Sequence, residues 1–410
     1  MLGHQVLCLI MQRPLEGMRE PFCLSGKVLY LTTILPSRKQ QGGEVASQAF
    51  IDALRSAGLR VIVLGFCRKG ENYQPGTDEI VVDERYGETS RSKGQSAIWL
   101  VTSLLKGLPY STTKFFAPAY VRVLKKMYVG AYSLVVVDHA QMAWLLPYLP
   151  HAAKIVFVAH NVEEELYDKL AVATHPGLVR LMYQREARLL GHLERRLATS
   201  AIETWSLSEH DRDCFAAIGS CRPPRVFGMY SSVTPPSEPP PPPKCDVCML
   251  GLWTWQPNRL GLVWFFKEVY PRLAKDLRIS VAGRGAEWLA GRYANVAYCG
   301  FVPEAQEFLQ TARVIAIPLL TGGGVQIKTL DAIASGNAVV ATSVAMRGLA
   351  HFPATVSVAD DPDTFVQYIS TAVHAVPDQR SRQEAIEWSR QRREVFEAAV
   401  VSAAEGLMQP

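Results

Sequence analysis

The segment TGGGVQIKTLD, which begins at Thr321, combines residue types that suit phosphate binding. Its three glycines allow the backbone to turn sharply and to approach a ligand closely. A helix that starts near Val325 would direct free N–H groups and the positive end of its dipole at this loop. Lys328 can then neutralise a phosphate, and Asp331, one turn later, can accept both hydroxyls of a ribose. The alternative is a glycine turn followed by a surface ion pair.

A second glycine pair, Gly42 and Gly43, follows a buried-strand pattern at residues 27–36 and precedes a helix with one apolar face at residues 44–58. The next apolar run, LRVIVLGF, predicts another strand. This order of strand, glycine loop, helix and strand predicts the start of a parallel α/β sheet.

Polar residues follow two further strand patterns of the first half. Asp138 and His139 end the pattern YSLVVVDHA, and His160 and Asn161 end the pattern AKIVFVAHN. Because ligands bind at the carboxyl ends of parallel strands, these side chains are candidate ligand contacts. For His160 taken alone, a role in ending the strand is the simpler explanation, and the adjoining Asn-Val-Glu run makes a ligand contact an equal alternative.

Alternating strands and helices resume after the proline-rich segment TPPSEPPPPP, so the sequence predicts two α/β halves joined by a stiff linker. A long amphipathic helix ends the chain. The predicted divisions are an irregular extension at residues 1–25, a first Rossmann-like domain at 26–233, a linker at 234–243, a second Rossmann-like domain at 244–384 and a C-terminal helix at 385–410.

Composition excludes several classes of protein. Hydrophobic residues make up 48% and charged residues 20% of the 410 residues, which indicates a globular chain. The net charge of +5 does not indicate nucleic-acid binding, although it is compatible with an anionic ligand or an acidic membrane surface.

No apolar run reaches the length of a membrane span, and we expect a cytoplasmic protein with reduced thiols. Cys245 and Cys248 lie in a strand pattern, which favours buried thiols over a metal site.

Residues 321–349 resemble the donor-binding signature of family-4 retaining glycosyltransferases, which have the GT-B fold. The first glycine loop and its helix resemble the matching part of the acceptor-side domain in that family. AHNVEEELY, at residues 159–167, resembles a segment of the branch that includes exopolysaccharide and PEP-CTERM-associated sugar transferases. The resemblance implies two Rossmann-like domains that face each other across a cleft, with the C-terminal helix crossing back to the first domain.

The resemblance also implies roles for individual residues. His160 and Lys328 would be catalytic, and Asp138, His139 and Asn161 would contact the acceptor or the sugar. The donor-binding set would comprise Gly42, Gly43, Arg259, Gly322, Gly323, Gly324, Val325, Lys328 and Asp331.

The sequence departs from the family pattern at several positions. The first acid of the family's acidic pair would fall at Gly323, and the second is Asp331 in place of the usual Glu. Gln326 stands where a basic residue is frequent. GLWTWQPN replaces the common Val-Gly-Arg strand end, so Arg259 or Arg284 would have to supply the cation.

The expected function is transfer of a hexose, with retention, from a nucleoside-diphosphate sugar to a glycan or lipid-linked acceptor in bacterial polysaccharide or glycoconjugate biosynthesis. We expect no cofactor and metal-independent transfer, because no Asp-x-Asp motif stands at a cleft position. The segment LLKGLPYSTTKFF, with Lys106 and Lys114, is a candidate for peripheral membrane contact. A nucleotide-sugar epimerase of the same fold, or a catalytically silent nucleotide-sugar-binding subunit, remains an alternative.

Overall fold

The computed structural model describes residues 26–39, 41–86, 93–127, 129–231, 242–322, 324–349, 351–375 and 379–409. The predicted extension at residues 1–25, nearly all of the proline linker and Gly323 lie outside these ranges. None of the helices in the described ranges combines the length and the apolar composition that a membrane span requires.

The first half forms a parallel sheet of seven strands in the order β3-β2-β1-β4-β5-β6-β7. Its strands are β1 (Lys27–Ile34), β2 (Arg60–Arg68), β3 (Glu79–Arg85), β4 (Leu134–Asp138), β5 (Ile155–Ala159), β6 (Glu203–Ser206) and β7 (Arg225–Val226). Its helices are α1 (Gly42–Ser56), α2 (Lys93–Lys106), α3 (Tyr110–Thr113), α4 (Pro118–Lys126), α5 (Glu163–Ala173), α6 (Leu178–Ser200) and α7 (Glu209–Ile218). Strand order reverses between β1 and β4, so the loops after these two strands lie side by side at the carboxyl edge.

The second half forms a parallel sheet of six strands in the order β10-β9-β8-β11-β12-β13. Its strands are β8 (Cys245–Leu250), β9 (Ile279–Ala282), β10 (Val296–Gly300), β11 (Ala312–Ile317), β12 (Ala338–Ala341) and β13 (Val356–Val358). Its helices are α8 (Gln256–Trp264), α9 (Ala305–Gln310), α10 (Ile327–Ala334), α11 (Pro362–His374) and the C-terminal helix α12 (Gln379–Met408). The strand order reverses between β8 and β11, which places the loop after β11 next to the loop after β8.

Two Rossmann-like domains are therefore confirmed, and the buried strand patterns of the sequence all form strands. The structure adds three edge strands that the patterns did not predict, namely β3, β7 and β13. The strand β3 is half-exposed along its length, and β7 and β13 have only two and three residues. Short or half-exposed edge strands bury too little apolar surface to leave a clear pattern.

The C-terminal helix crosses back to the first domain, as predicted, although it begins at Gln379 rather than at residue 385. The buried Phe396 ring lies 5.0 Å from the Phe50 ring of α1 and 5.2 Å from the Tyr230 ring. At its other end the helix reaches the second domain, where Trp388 Nε1 donates to the carbonyl oxygen of His351 at 2.9 Å. One helix therefore packs against both domains.

We predict that Phe396→Ala lowers the free energy of unfolding by about 3–5 kcal/mol, because it leaves a cavity in this aromatic cluster. Urea unfolding followed by circular dichroism measures the change. Val395→Ala is the matched control, since the neighbouring side chain is 69% exposed and its loss should cost no more than about 0.5 kcal/mol. Equal effects of the two substitutions would contradict the packing role of Phe396.

Candidate active site

A cleft with a cavity of about 550 Å³ lies between the carboxyl edges of the two sheets. Its wall in the first domain comes from the loops after β1, β4 and β5, and its wall in the second comes from the loops after β8, β9 and β11. Both reversal points of strand order therefore open into the same cavity. The volume is in the range of small-molecule sites.

The buried carboxylate of Asp138 organises the first-domain wall. Its Oδ1 atom lies 2.7 Å from Nε2 of His160, and its Oδ2 atom accepts hydrogen bonds from Thr32 Oγ1 at 2.8 Å and Ser47 Oγ at 2.6 Å. Burial alone would raise the pKa of Asp138, but the imidazoles of His139 and His160 and the hydrogen bonds outweigh it and lower the pKa to about 2. The group is therefore ionised at neutral pH. An ionised carboxylate can only accept, so Nε2 of His160 is the donor.

His139 lies against His160 in an unusual backbone conformation. The two rings stack with centroids 3.8 Å apart, and burial lowers the pKa of His139 to about 4, so it is neutral near pH 7. Its φ of 72° falls in the region that favours glycine. Such a conformation costs on the order of 1–3 kcal/mol in a residue with a side chain, and strain of this kind concentrates at functional sites.

The glycine loop at the start of α1 lies directly over these histidines. A Cβ atom on Gly43 would come within 3.3 Å of the His139 ring and 4.0 Å of Nδ1 of His160. On the opposite side, a Cβ on Gly42 would contact Ile327 in the first turn of α10. Glycine at positions 42 and 43 therefore lets the backbone lie close to both walls of the cleft, whereas side chains at these positions would narrow it.

The glycine-rich loop of the second domain closes against the first domain. Gly324 has a φ of 62°, and a Cβ there would overlap the side chain of Asn161, with the carbonyl oxygen of His160 only 2.9 Å away. Arg347 Nη1 donates to the carbonyl oxygen of Gly322 at 2.5 Å and holds the other end of the loop. The helix α10 begins at Ile327, two residues later than the sequence predicted.

Lys328 extends from the first turn of α10 into the cleft. Its Nζ atom donates to Asn258 Oδ1 at 2.6 Å, and Asn258 Nδ2 in turn donates to the carbonyl oxygen of Leu252 at 3.0 Å. No carboxylate among the described residues forms an ion pair with this amine. Burial lowers the pKa of Lys328 to about 7. An anion in the cleft would reverse this effect, because it stabilises the ammonium form.

Asp331 lies one turn further along α10 and also lines the cavity. Its Oδ1 atom accepts a hydrogen bond from Ser231 Oγ at 2.7 Å. Ser231 follows β7 and is the last described residue of the first half. The side chain is half-buried and is held on the cleft side of the helix.

The structure brings most of the predicted site residues to this one cavity. The predicted residues that line it are Gly42, Gly43, His139, His160, Asn161, Val325, Lys328 and Asp331. Asp138 lies directly behind His160, and Gly322 and Gly324 belong to the adjoining loop. Of the two arginines considered as the missing cation, Arg284 lines the cavity, whereas Arg259 is exposed and is not part of the lining. Gly323 lies outside the described residues.

Sequence reasoning missed the residues that hold the site residues in place. Thr32 and Ser47 orient Asp138, Asn258 orients Lys328, and Ser231 orients Asp331. Ser47 lies one helical turn after Gly43, and that spacing is a signal that could have been used. Asn258 is separated from Lys328 by 70 residues, so no local pattern could have indicated it.

Two groups of side chains in the described ranges have the spacing of metal ligands. Asp138, His139 and His160 form the first, with their ligand atoms within 4.8 Å of one another, and Glu165, His210 and Cys214 form the second on α5 and α7. In the first group, Oδ2 of Asp138 already accepts two hydroxyl hydrogen bonds and Oδ1 is bonded to His160. These hydrogen bonds engage both oxygens of the Asp138 carboxylate without a metal ion.

Comparison with known proteins finds a family match within the second half of the chain. Residues 244–374 match the model of the family described as glycosyl transferases group 1. An uncharacterized 44.6 kDa protein in the cps region of Klebsiella pneumoniae is 28% identical over 119 residues, a match that spans 25% of this chain and 30% of that protein. The chain thus matches less than a third of this curated relative.

Solved structures extend the likeness to the whole fold. Sucrose-phosphate synthase from Thermosynechococcus elongatus aligns with a TM-score of 0.62 and 14% identity, over 93% of this chain and 98% of that chain. HepE from Anabaena, in complex with UDP-glucose, aligns with a TM-score of 0.59 and 13% identity, over 93% of this chain and 100% of that chain. Identities this low establish the fold alone.

Residues 244–374 therefore match the group 1 glycosyltransferase family, and the two domains together have the GT-B fold. The resemblance to GT-B glycosyltransferases is confirmed. Membership of family 4 and retention of configuration stay predictions.

We predict that His139→Gly is more stable than His139→Ala by about 1 kcal/mol, because glycine adopts the positive φ without strain. The two variants lose the same imidazole contacts, so each is the control for the other. Thermal unfolding monitored by circular dichroism compares them. An alanine variant at least as stable as the glycine variant would show that the backbone is unstrained or relaxes.

Proposed function

We propose that the protein transfers a hexose, with retention, from a nucleoside-diphosphate sugar to a hydroxyl of a glycan or lipid-linked acceptor. The proposal rests on the environment of Lys328. Its amine lies half-buried in the first turn of α10, has no carboxylate partner among the described residues, and lines the same cavity as His160. The group 1 family match supports sugar transfer, and the UDP-glucose held by the neighbour HepE supports a nucleotide-sugar donor.

Departure of the leaving group is the step that this site is built to assist. As the bond between sugar and phosphate breaks, negative charge grows on the diphosphate. The ammonium of Lys328 and the N–H groups at the start of α10 would stabilise that charge, because they are already oriented before the reaction. Asp331 would bind the ribose hydroxyls, and Gly42, Gly43 and the loop at residues 322–324 would let the diphosphate approach the backbone.

The first-domain wall would bind the sugar. Because Nε2 of His160 is bonded to Asp138, its Nδ1 atom is the ring nitrogen left for a ligand, and it lies on the side of Gly43. That nitrogen would accept a hydrogen bond from a hydroxyl of the sugar or of the acceptor, and Asn161 and His139 lie beside it. Asp138 thus acts as a positioning residue. Arg284 is the cation best placed to assist Lys328, since it lines the cavity whereas Arg259 does not.

The proposal also covers the cofactor requirement, the biosynthetic role and the location of the reaction. No cofactor and no metal ion are required, since Lys328 supplies the positive charge that a metal would otherwise supply. The relative in the Klebsiella pneumoniae cps region supports a role in bacterial polysaccharide biosynthesis. A lipid-linked acceptor would place the protein in the cytoplasm, peripherally on the inner face of the membrane.

Incubation with a panel of labelled UDP- and GDP-sugars and a membrane extract tests the function. We expect label in the glycan or lipid fraction, undiminished by EDTA. Conversion of the sugar nucleotide without transfer would indicate an epimerase, and binding without turnover would indicate a silent subunit.

We predict that Lys328→Ala lowers kcat for sugar transfer about a hundredfold or more, with a smaller change in KM, because the lost charge acts on the leaving diphosphate. Initial rates at saturating donor measure the effect. Lys267→Ala is the control, since that lysine is exposed outside the cleft and should leave the rate unchanged. Near-normal turnover of Lys328→Ala would contradict the assigned role.

We also predict that donor binding takes up a proton above pH 7. The free amine of Lys328 has a pKa of about 7, and a bound diphosphate raises it, so affinity should fall about tenfold per pH unit above pH 7. Calorimetry of sugar-nucleotide binding in buffers of different ionisation enthalpy measures the uptake. The control variant Lys328→Met should take up no proton; uptake that persists there would assign the proton to another group.

A further inference from the structure

An apolar surface covers the outer side of two helices of the first domain. On α2, Val101 is 53%, Leu104 is 61% and Leu105 is 82% exposed. On the first turns of α6, Leu178 is 74% and Leu181 is 62% exposed. Exposed large side chains are normal when scattered, but clusters of this kind mark interaction sites. We call these exposed side chains of α2 and α6 the apolar face.

Hydrogen bonds connect the two helices. Arg185 on α6 donates through Nη1 to Ser103 Oγ and through Nη2 to the carbonyl oxygen of Ser103, both at 2.9 Å. Ser103 and Trp99, four residues apart, form the buried side of α2. The outer side of α2 is therefore fixed in position while its apolar residues remain exposed.

On α2 and α6 themselves, the exposed charged side chains are positive. The only acidic residues of α6 are Glu186 and Glu194, and both point inward. Glu186 accepts from the backbone N–H groups of Tyr110 and Ser111 at 2.7 and 2.8 Å. Glu194 accepts from two N–H groups at the start of α5. No acidic residue occurs in α2 either.

The cations of the same helices remain on the surface. Arg188 and Arg196 are exposed on α6, of which Arg188 lies nearer the apolar face, two turns after Leu181, and Lys106 is exposed at the end of α2 next to Leu105. Lys114, the other lysine of the segment proposed from the sequence, is half-buried beside Tyr110 and does not belong to this surface. The combination of large apolar side chains with cations and without exposed acids is typical of segments that lie in a membrane interface.

We propose that the apolar face of α2 and α6 docks on a bilayer that contains anionic phospholipid. Leucines and valines insert among the lipids, and the exposed arginines contact phosphate headgroups. A second copy of the chain is a poor occupant, since two cationic surfaces repel each other. The proposal supplies the contact for the peripheral membrane location of the proposed function, and vesicle binding itself does not depend on sugar transfer. Where both hold, the first domain would meet an acceptor presented on the membrane.

Sedimentation of the full chain with vesicles, without any sugar donor, tests the proposal. We expect binding to phosphatidylcholine vesicles that contain phosphatidylglycerol, weak binding to phosphatidylcholine alone, and weaker binding as salt is raised. The double variant Leu104→Glu, Leu105→Glu should lose at least tenfold in affinity. Val395→Glu, at an exposed position of α12, is the matched control and should bind as the wild type does.

Three results would overturn the proposal. They are no binding of the wild type to the anionic vesicles, binding of the double variant at wild-type affinity, and light scattering that shows a wild-type dimer which the double variant converts to monomer. The melting temperature of each variant shows that it is folded. Failure of vesicle binding leaves sugar transfer to a soluble glycan untouched, so the two proposals are tested separately.

Discussion

A half-buried amine without a described carboxylate partner is the constraint around which the cleft is built. Lys328 could have been neutralised by a nearby acid, as most buried lysines are, and the site would then have lost its positive charge. Instead a neutral amide, Asn258, holds Nζ in place and leaves the charge uncompensated. The site therefore tolerates a cost in stability in exchange for a group that responds strongly to an anion.

In the first-domain wall, by contrast, the buried charge is compensated. Asp138 is fully buried, yet two hydroxyls and an imidazole satisfy it, so its negative charge is confined to one network and does not face the cleft. The network fixes Nε2 of His160 as the hydrogen-bond donor to Asp138. One wall thus presents an amine and the other an imidazole, which matches a substrate with an anionic end and a hydroxylated end.

The fold and the main site residues could be read from the sequence because they rest on local patterns. Buried parallel strands are continuous apolar runs, and the glycine loops, Lys328 and Asp331 follow each other at fixed spacing. Contacts between distant segments could not be read, among them those of Asn258 with Lys328 and of Gly324 with Asn161. The positive φ of His139 was equally hidden, because only the packing of the rings requires it.

The placement of α12 limits how the two domains can move. This helix of 30 residues packs on α1 of the first domain and on α10 of the second. Any rotation that widens the cleft must bend this helix or withdraw Phe396 from its aromatic neighbours. Opening of the cleft is therefore coupled to this one helix, and a truncation that removes Phe396 would loosen the connection between the two halves.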